Sequence, residues 1–135
     1  MTEREDSFGA ASPPRERAAR GRDAERIAER FLRASGLSVV ARNVRRREGE
    51  LDIVARDGDV IVFVEVRARR ARARFDPAAT VDVAKKRRLF RAANRWLGEQ
   101  GLGDARCRYD IVAVSVSSSG WRVRHFRAAF VDDEP

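Results

Sequence analysis

The sequence predicts a single domain in which helices pack on a mixed β-sheet, an α/β or α+β sandwich with the element order α-β-β-β-α-β-β. Two stretches, residues 24–32 and 86–97, carry apolar side chains at helical spacing. Runs of β-branched residues lie between and after them, and one contains Asp57-Gly58, the strongest short-range signal for a hairpin. A chain of 135 residues is most simply one domain.

The two ends of the chain differ in composition from its middle. Residues 1–20 are polar, rich in alanine and contain Pro13-Pro14, so we expect a disordered tail there. Residues 131–135 form a short acidic tail. The folded domain is therefore expected to span residues 21–130.

The first half of this domain should be a helix followed by three strands. Apolar residues recur at intervals of three and four from residue 24, and Gly36 supplies a stop signal. A strand over residues 37–44 then leads into a basic turn at Arg45–Arg47. Residues 49–69, GELDIVARDGDVIVFVEVRAR, follow as two buried strands joined by the Asp-Gly turn.

The second half begins with an arginine-rich loop over residues 68–80. A helix should start around Thr80 or Val81, where Thr80 or Asp82 can cap or favour its N-terminus. The segments CRYDIVAVSV and WRVRHFRAAF then read as the last two strands, joined by a turn at SSSG.

The charge of the chain points to a polyanionic partner. The formal net charge is +8, and residues 21–130 alone carry 25 basic against 14 acidic side chains. Nucleic acid is the default partner of so basic a domain, and an anionic membrane surface is the weaker alternative, because no strongly apolar helix accompanies the charge. Cys107 is the only cysteine, which excludes a disulfide framework and a cysteine-based zinc site. With no membrane-length apolar stretch and no secretory signal, a soluble cytoplasmic protein is expected.

Carboxylates in the hairpin raise the question of function, because burying unpaired charge is costly. If Asp57-Gly58 is the two-residue turn, Asp52 and Glu65 are diagonal neighbours on one face, which they share with Glu50 and Arg67. If the turn is instead Gly58-Asp59, Asp52 and Glu65 lie directly opposite each other. The other face is apolar in both cases and is predicted to be core.

Two interpretations of this acidic corner follow from its geometry. A divalent cation would relieve the repulsion between the carboxylates, and oxygen ligands favour Mg²⁺ or Mn²⁺. Arginines would relieve it as well, with Glu50 and Glu65 paired to Arg47, Arg67 or Arg69 as a structural ion-pair cluster. Geometry alone leaves both open.

Six motifs in fixed order carry a resemblance to a known family. They are GRDAERIAERFL, ARNVR, GELDIVARDGDVIVFVEVRAR, FDPAATVDVAKKRRL, RYDIVAV and HFRAAF, and they cover residues 21–130. The chain resembles the YraN-type family of uncharacterised bacterial proteins classed as predicted endonucleases and related to Holliday-junction resolvases. The resemblance implies an α/β restriction-endonuclease-like fold of the PD-(D/E)xK superfamily, with a central mixed sheet flanked by helices.

The resemblance also implies roles for particular residues. Asp52 matches the first acid of the nuclease motif and Glu65 the second, while Glu25 on the first helix matches an acid that completes the site in related nucleases. Asp52, Glu65 and the backbone carbonyl of Val66 would hold Mg²⁺ or Mn²⁺. The implied reaction is metal-assisted hydrolysis of a phosphodiester, in which the metal lowers the pKa of a bound water.

The third motif position departs from the pattern, because Arg67 stands where lysine is usual. Arginine stays protonated at any working pH, so Arg67 can hold a phosphate but cannot abstract a proton. Lys85 or Lys86 can supply an amine from the second helix. The substitution leaves a second function open, a nucleic-acid-binding module with a degenerate nuclease site, and a basic scaffold with a structural ion-pair cluster as a third.

Basic runs flank the acidic corner and are predicted to contact phosphates, preferably of DNA. The residues assigned to this contact are Arg45, Arg46, Arg47, Arg69, Arg70, Lys85, Lys86 and Arg88. Because related resolvases act as dimers, the resemblance allows a homodimer. Asp110 can face the corner or pair with an arginine, Trp121 can stack on a base or be buried, and the single His125 is expected on the surface or in the core.

Overall fold

The structure, a computed structural model, describes residues 2–8, 17–70, 81–117 and 119–132. The elements are β1 (Thr2–Phe8), α1 (Arg17–Ala34), β2 (Ser38–Arg46), β3 (Gly49–Asp57), β4 (Val60–Arg70), α2 (Val83–Glu99), β5 (Cys107–Ser117) and β6 (Gly120–Phe130). Neither helix is long and apolar enough to cross a membrane within this described part of the chain.

The strands form one mixed sheet in the order β1-β6-β5-β4-β3-β2. Strands β4 and β5 run parallel, with residues 61–70 beside residues 107–116, and the other described pairs are antiparallel. A parallel pair needs a crossover connection, which here contains α2. The predicted class, a central mixed sheet flanked by helices, is confirmed, and so is the order of elements from α1 onward.

Each helix covers one face of the sheet. On the α2 face, Phe63, Phe90, Tyr109 and Phe130 form a chain of ring contacts with centroids 4.8–5.9 Å apart. On the α1 face, the buried side chains of the helix pack on alternate residues of the inner strands, among them Val62 and Val64. The hairpin is therefore buried on both faces, which fixes its strands firmly beneath the helices.

The hairpin register follows the second of the two predicted turns. Asp57 pairs with Val60, so Gly58 and Asp59 are the turn residues, and Gly58 has a positive φ of 61°. The ladder then runs to the pair of Ile53 with Val64. Continued by one residue, this register sets Asp52 opposite Glu65.

Several boundaries differ from those predicted. Residues 1–20, predicted to be a disordered tail, include β1, and α1 begins at Arg17 rather than residue 21. Strand β1 pairs with the edge of β6 through backbone groups, which any sequence offers, so TEREDSF gave no apolar pattern to detect. Helix α2 begins at Val83, because Asp82 is its N-cap and accepts a hydrogen bond from the Lys85 amide at 2.8 Å. The predicted loop overlaps β4 up to Arg70, and Thr80, most of that loop and residues 133–135 lie outside the described residues.

Candidate active site

Asp52 lies where β3 and β4 stop pairing. Beyond the pair of Ile53 with Val64, the backbone amide of Val66 donates a hydrogen bond to Oδ2 of Asp52 at 2.9 Å. The carboxylate therefore satisfies an amide that the ladder leaves without its usual partner. A side chain held in this way has a fixed position between the two strands.

Glu65, on β4, is almost fully buried at 7% exposure and is surrounded by positive charge. The ammonium of Lys85 lies 2.8 Å from its Oε1, and the guanidinium of Arg67 lies 3.4 Å from the same oxygen. Lys85 comes from the first turns of α2, so a helix and a strand converge on one carboxylate. Two of the predicted cations, Lys85 and Arg67, therefore contact Glu65 directly.

The electrostatics of Asp52 differ from those of Glu65. Burial is the largest influence and, with the negative charges of Glu65 and Glu25, raises the pKa of Asp52 to about 7. The Val66 hydrogen bond and the positive charge of Lys85 oppose this rise without cancelling it. Asp52 is thus an acid whose negative charge the surrounding protein leaves incompletely compensated.

Two cavities of about 230 Å³ each meet at Asp52. The cavity on the α2 side is lined by Gly49, Glu50, Asp52, Glu65, Lys85, Arg88 and Leu89. The cavity on the α1 side is lined by Arg22, Glu25, Arg26, Glu29, Arg42, Asn43, Asp52 and Ile53. Glu25 and Glu65 therefore approach Asp52 from two different cavities rather than from one side.

Gly49 lets α2 come close to this site. A Cβ at position 49 would lie 3.0 Å from the backbone oxygen of Arg88, tighter than an ordinary contact. The absence of a side chain at this position therefore allows α2, the helix that carries Lys85, to lie close to β3. The sequence shows a glycine there but does not indicate what approaches it.

The predicted phosphate contacts divide into two groups in the structure. Arg46 forms three hydrogen bonds with the Glu99 carboxylate, at 2.9–3.1 Å, and the Lys86 ammonium lies 5.8 Å from the centre of the Phe130 ring. The other group includes Arg45, whose Nε lies 3.4 Å from Glu50, and Lys85, the partner of Glu65. It also includes the exposed Arg47 and Arg88 and the half-buried Arg69. The Arg70 side chain lies outside the described residues.

A second polar network, which the sequence did not indicate as a unit, lies under α1. Asp110 is fully buried and accepts hydrogen bonds from Arg108 at 2.9 and 3.0 Å, His125 at 2.8 Å and the Ala128 amide at 2.9 Å. Arg108 also donates to Asp57 at 2.9 Å. Asp110 is therefore an ion-pair partner, as one of its two interpretations had it.

The pKa of Asp110 reflects this environment. Burial favours the neutral acid, but the hydrogen bonds from His125, Arg108 and Ala128 outweigh burial and lower the pKa. His125, only 2% exposed, lies in the core with its ring 5.8 Å from that of Phe31. Trp121 is buried at 4% exposure, which leaves little of it to stack on a base.

The fold and site together define a class: an α/β protein with a restriction-endonuclease-like sheet whose central hairpin carries an acidic corner beneath a basic helix. The profile of a family described as "Uncharacterised protein family UPF0102" matches residues 24–114. The chain belongs to this family, which is also called the YraN family.

Sequence relatives extend the match to more than four fifths of the chain. A UPF0102 protein of Anaeromyxobacter sp. strain Fw109-5 is 45% identical over 115 residues, which are 85% of this chain and 86% of that protein. A UPF0102 protein of Anaeromyxobacter dehalogenans is 47% identical over 118 residues, 87% of each chain. A third, from Symbiobacterium thermophilum, is 45% identical over 111 residues, 82% of this chain and 94% of that protein.

Proposed function

We propose that this protein is a Mg²⁺- or Mn²⁺-dependent endonuclease that binds DNA through its arginine-rich side and hydrolyses phosphodiester bonds. The observation that carries the proposal is the pair of Asp52 and Glu65 at the open end of one hairpin, with Lys85 and Arg67 beside Glu65. The positive side chains suit an anionic substrate, and the two acids suit a metal cation that takes part in its hydrolysis.

The residues at this corner suit a hard divalent cation. Burial, together with the negative charges of Glu65 and Glu25, raises the pKa of Asp52 to about 7, and a bound cation would favour its ionised form. Within the described residues no three Asp, Glu, His or Cys side chains converge into a metal-binding group. Mg²⁺ commonly binds through one or two carboxylates and completes its shell with water and substrate phosphate, so Asp52, Glu65 and the Val66 carbonyl remain an adequate donor set.

The chain's own residues would divide the work of hydrolysis. Asp52 and Glu65 would hold the cation, which would supply polarisation of the phosphate and a lowered pKa for a bound water. Arg67 and Lys85 carry positive charge at the corner, where it favours the charge that gathers on the phosphate. The exposed Arg47 and Arg88 would bind the neighbouring phosphates of the DNA strand.

The test is cleavage of labelled linear, flapped and four-way-junction DNA, and of RNA of matched sequence, in Mg²⁺, Mn²⁺ or EDTA. We expect cutting to require the metal. The Asp52→Ala/Glu65→Ala variant should remain folded but should not cut. The matched control is Asp59→Ala/Asp104→Ala, which also removes two carboxylates, both exposed and outside the site. Preference for the junction over linear DNA would place the protein with the branched-DNA nucleases.

One observation favours a second function, a non-catalytic module that binds nucleic acid. Arg67 and Lys85 both lie within 4 Å of Glu65 and can neutralise its charge without a metal. For such a module, binding would be salt-dependent and unaffected by metal. Tight binding with no cutting by the unsubstituted protein in either metal would reject the endonuclease in favour of this module.

A further inference from the structure

We propose that Lys85 is a catalytic residue and supplies the ammonium group that the nuclease motif usually carries at the position of Arg67. The inference rests on the proposed function and separates the role of Lys85 from that of Arg67. The chain has only two lysines, Lys85 and Lys86. They are neighbours on α2, so the structure has to distinguish them.

Their side chains point to different surroundings. The Lys85 ammonium lies 2.8 Å from Oε1 of Glu65 and lines the α2-side cavity together with Asp52. The Lys86 ammonium lies 5.8 Å from the centre of the Phe130 ring. Lys85 is therefore the lysine at the acidic corner.

The helix also holds Lys85 in place. Asp82 caps α2 by accepting a hydrogen bond from the Lys85 backbone amide at 2.8 Å, and the side chain is 31% exposed. Its stem is thus partly packed while its charged end reaches the cavity. Because a Cβ at Gly49 would lie 3.0 Å from the carbonyl oxygen of Arg88, one turn later, the glycine allows this part of α2 to approach β3 closely.

Arg67 and Lys85 reach the same oxygen of Glu65, but they are not equivalent. Lys85 Nζ is at hydrogen-bond distance, whereas Arg67 Nη2 is 3.4 Å away. A compact ammonium can donate to the carboxylate and to a phosphate oxygen at once, because it has three donors. The motif's ammonium group would thus come from the helix, while the strand carries the guanidinium of Arg67.

In the reaction, Lys85 acts as a hydrogen-bond donor and not as a base. The oxygen of water forms the new bond to phosphorus as the bond from phosphorus to the leaving sugar oxygen breaks. The water gives its proton to solvent, and the leaving oxygen takes one from solvent. Throughout, the ammonium donates a charge-assisted hydrogen bond to a non-bridging oxygen of the phosphate.

The experiment exchanges the amine chemically. In a Cys107→Ser background, which removes the one exposed free thiol, Lys85→Cys should cut four-way-junction DNA in Mg²⁺ about 10²–10³-fold more slowly under single-turnover conditions. Its affinity for the same DNA in Ca²⁺ should fall only a few-fold. Aminoethylation of the new thiol restores an ammonium of nearly the same length and should recover most of the rate.

Three comparisons keep the result specific. Lys86→Cys in the same background should affect cutting at most through binding, and Arg67→Lys should change the single-turnover rate only a few-fold. Acetylation of Lys85, followed by mass spectrometry, should slow when the DNA is bound, which reports direct contact. Far-ultraviolet circular dichroism and the melting temperature establish that each variant is folded.

The outcomes separate the two proposals. Normal cutting by the folded Lys85→Cys variant, or a rate that aminoethylation leaves unchanged, would overturn the role of Lys85 while leaving the endonuclease intact. A large gain in rate from Arg67→Lys would return the role to the strand position. No cutting by the unsubstituted protein would reject both.

Discussion

The backbone amide of Val66 donates to Oδ2 of Asp52 at 2.9 Å, and this bond replaces the ladder pairing that β3 and β4 give up beyond Ile53 and Val64. The strands therefore separate at the point where the acid enters. The same bond holds Asp52 beside Glu65 even though burial and like charge raise its pKa to about 7. The fold thus fixes the position of Asp52, but it is less stable when the carboxyl group of Asp52 is ionised.

That cost is measurable as a pH dependence of the Asp52→Asn variant. The folded state raises the pKa of Asp52 from 3.8 to about 7, so the contribution to stability is full below about pH 4 and is lost as pH rises through 7. At pH 8 without metal, Asp52→Asn should be more stable than the parent by on the order of 2 kcal/mol. Urea unfolding at pH 8 and pH 5 measures the difference, which should shrink at pH 5. Asp59→Asn, in the turn of the same hairpin, is the control; lower stability of Asp52→Asn at both pH values would contradict this account.

Millimolar Mg²⁺ or Mn²⁺ should raise the melting temperature of the unsubstituted protein, because a ligand that binds only the folded state stabilises it. The shift should be larger at pH 8 than at pH 5.5, since protonated Asp52 is a poor ligand. Differential scanning fluorimetry in a metal titration measures it. Asp52→Ala/Glu65→Ala should show no shift and Asp104→Ala the full shift. An equal shift in all three proteins would indicate binding elsewhere.

Loss of the buried carboxylate of Asp110 should lower the free energy of unfolding more than any change at the acidic corner. Asp110→Ala leaves Arg108 and His125 without their shared partner in the core, and breaking such a buried pair costs about 3–5 kcal/mol. Because the pKa of Asp110 is lowered, the stability it contributes is present above pH 4 and is lost as pH falls below that. Chemical denaturation at pH 7 measures the loss. A change under about 1 kcal/mol would show the network to be dispensable.

Two glycine substitutions should have opposite effects. A Cβ on Gly49 would press on the Arg88 carbonyl at 3.0 Å and displace α2, whereas a Cβ on Gly98, inside α2, meets nothing within 4 Å. Gly49→Ala should therefore lower stability and slow cutting, since it moves the helix that carries Lys85. Gly98→Ala should raise stability by about 0.5–1 kcal/mol through helix propensity. Equal effects of the two variants in thermal melts would contradict the close approach.

Salt dependence distinguishes Arg88 from Arg46, which were predicted alike as phosphate contacts. Arg88 is exposed at the α2-side cavity, while the guanidinium of Arg46 is engaged by Glu99. Arg88→Gln should reduce the slope of log affinity against log salt by about one, and Arg46→Gln should change it little. Fluorescence anisotropy with labelled DNA at several salt concentrations gives both slopes. A unit loss in Arg46→Gln would mean that the arginine leaves Glu99 for phosphate.

The sheet and its two helices could be predicted because their signals are local. Spacing identified the apolar face of α1, and the alternation of the hairpin carried Asp52 and Glu65 to one corner in both turn registers. Strand β1 could not be predicted in this way, because its pairing with β6 depends on backbone hydrogen bonds and not on an apolar pattern.

The partners of charged side chains depend on distances between elements that sequence does not encode locally. Glu99 lies 53 residues from Arg46, and Asp57 lies 51 from Arg108, so neither pair was predictable from spacing. Lys85 and Lys86 were both predicted as sources of an amine. Only the structure, which fixes the orientation of α2 about its axis, distinguishes Lys85 from Lys86.

The parallel pairing of β4 with β5 has a consequence for when the site forms. Residues 61–70 cannot pair with residues 107–116 until the ribosome has released the whole crossover, including α2. The hairpin of β3 and β4 can form much earlier, since its strands are adjacent in the chain. The sheet around Asp52 and Glu65 is therefore completed only when β5, which follows α2 in the chain, has been translated.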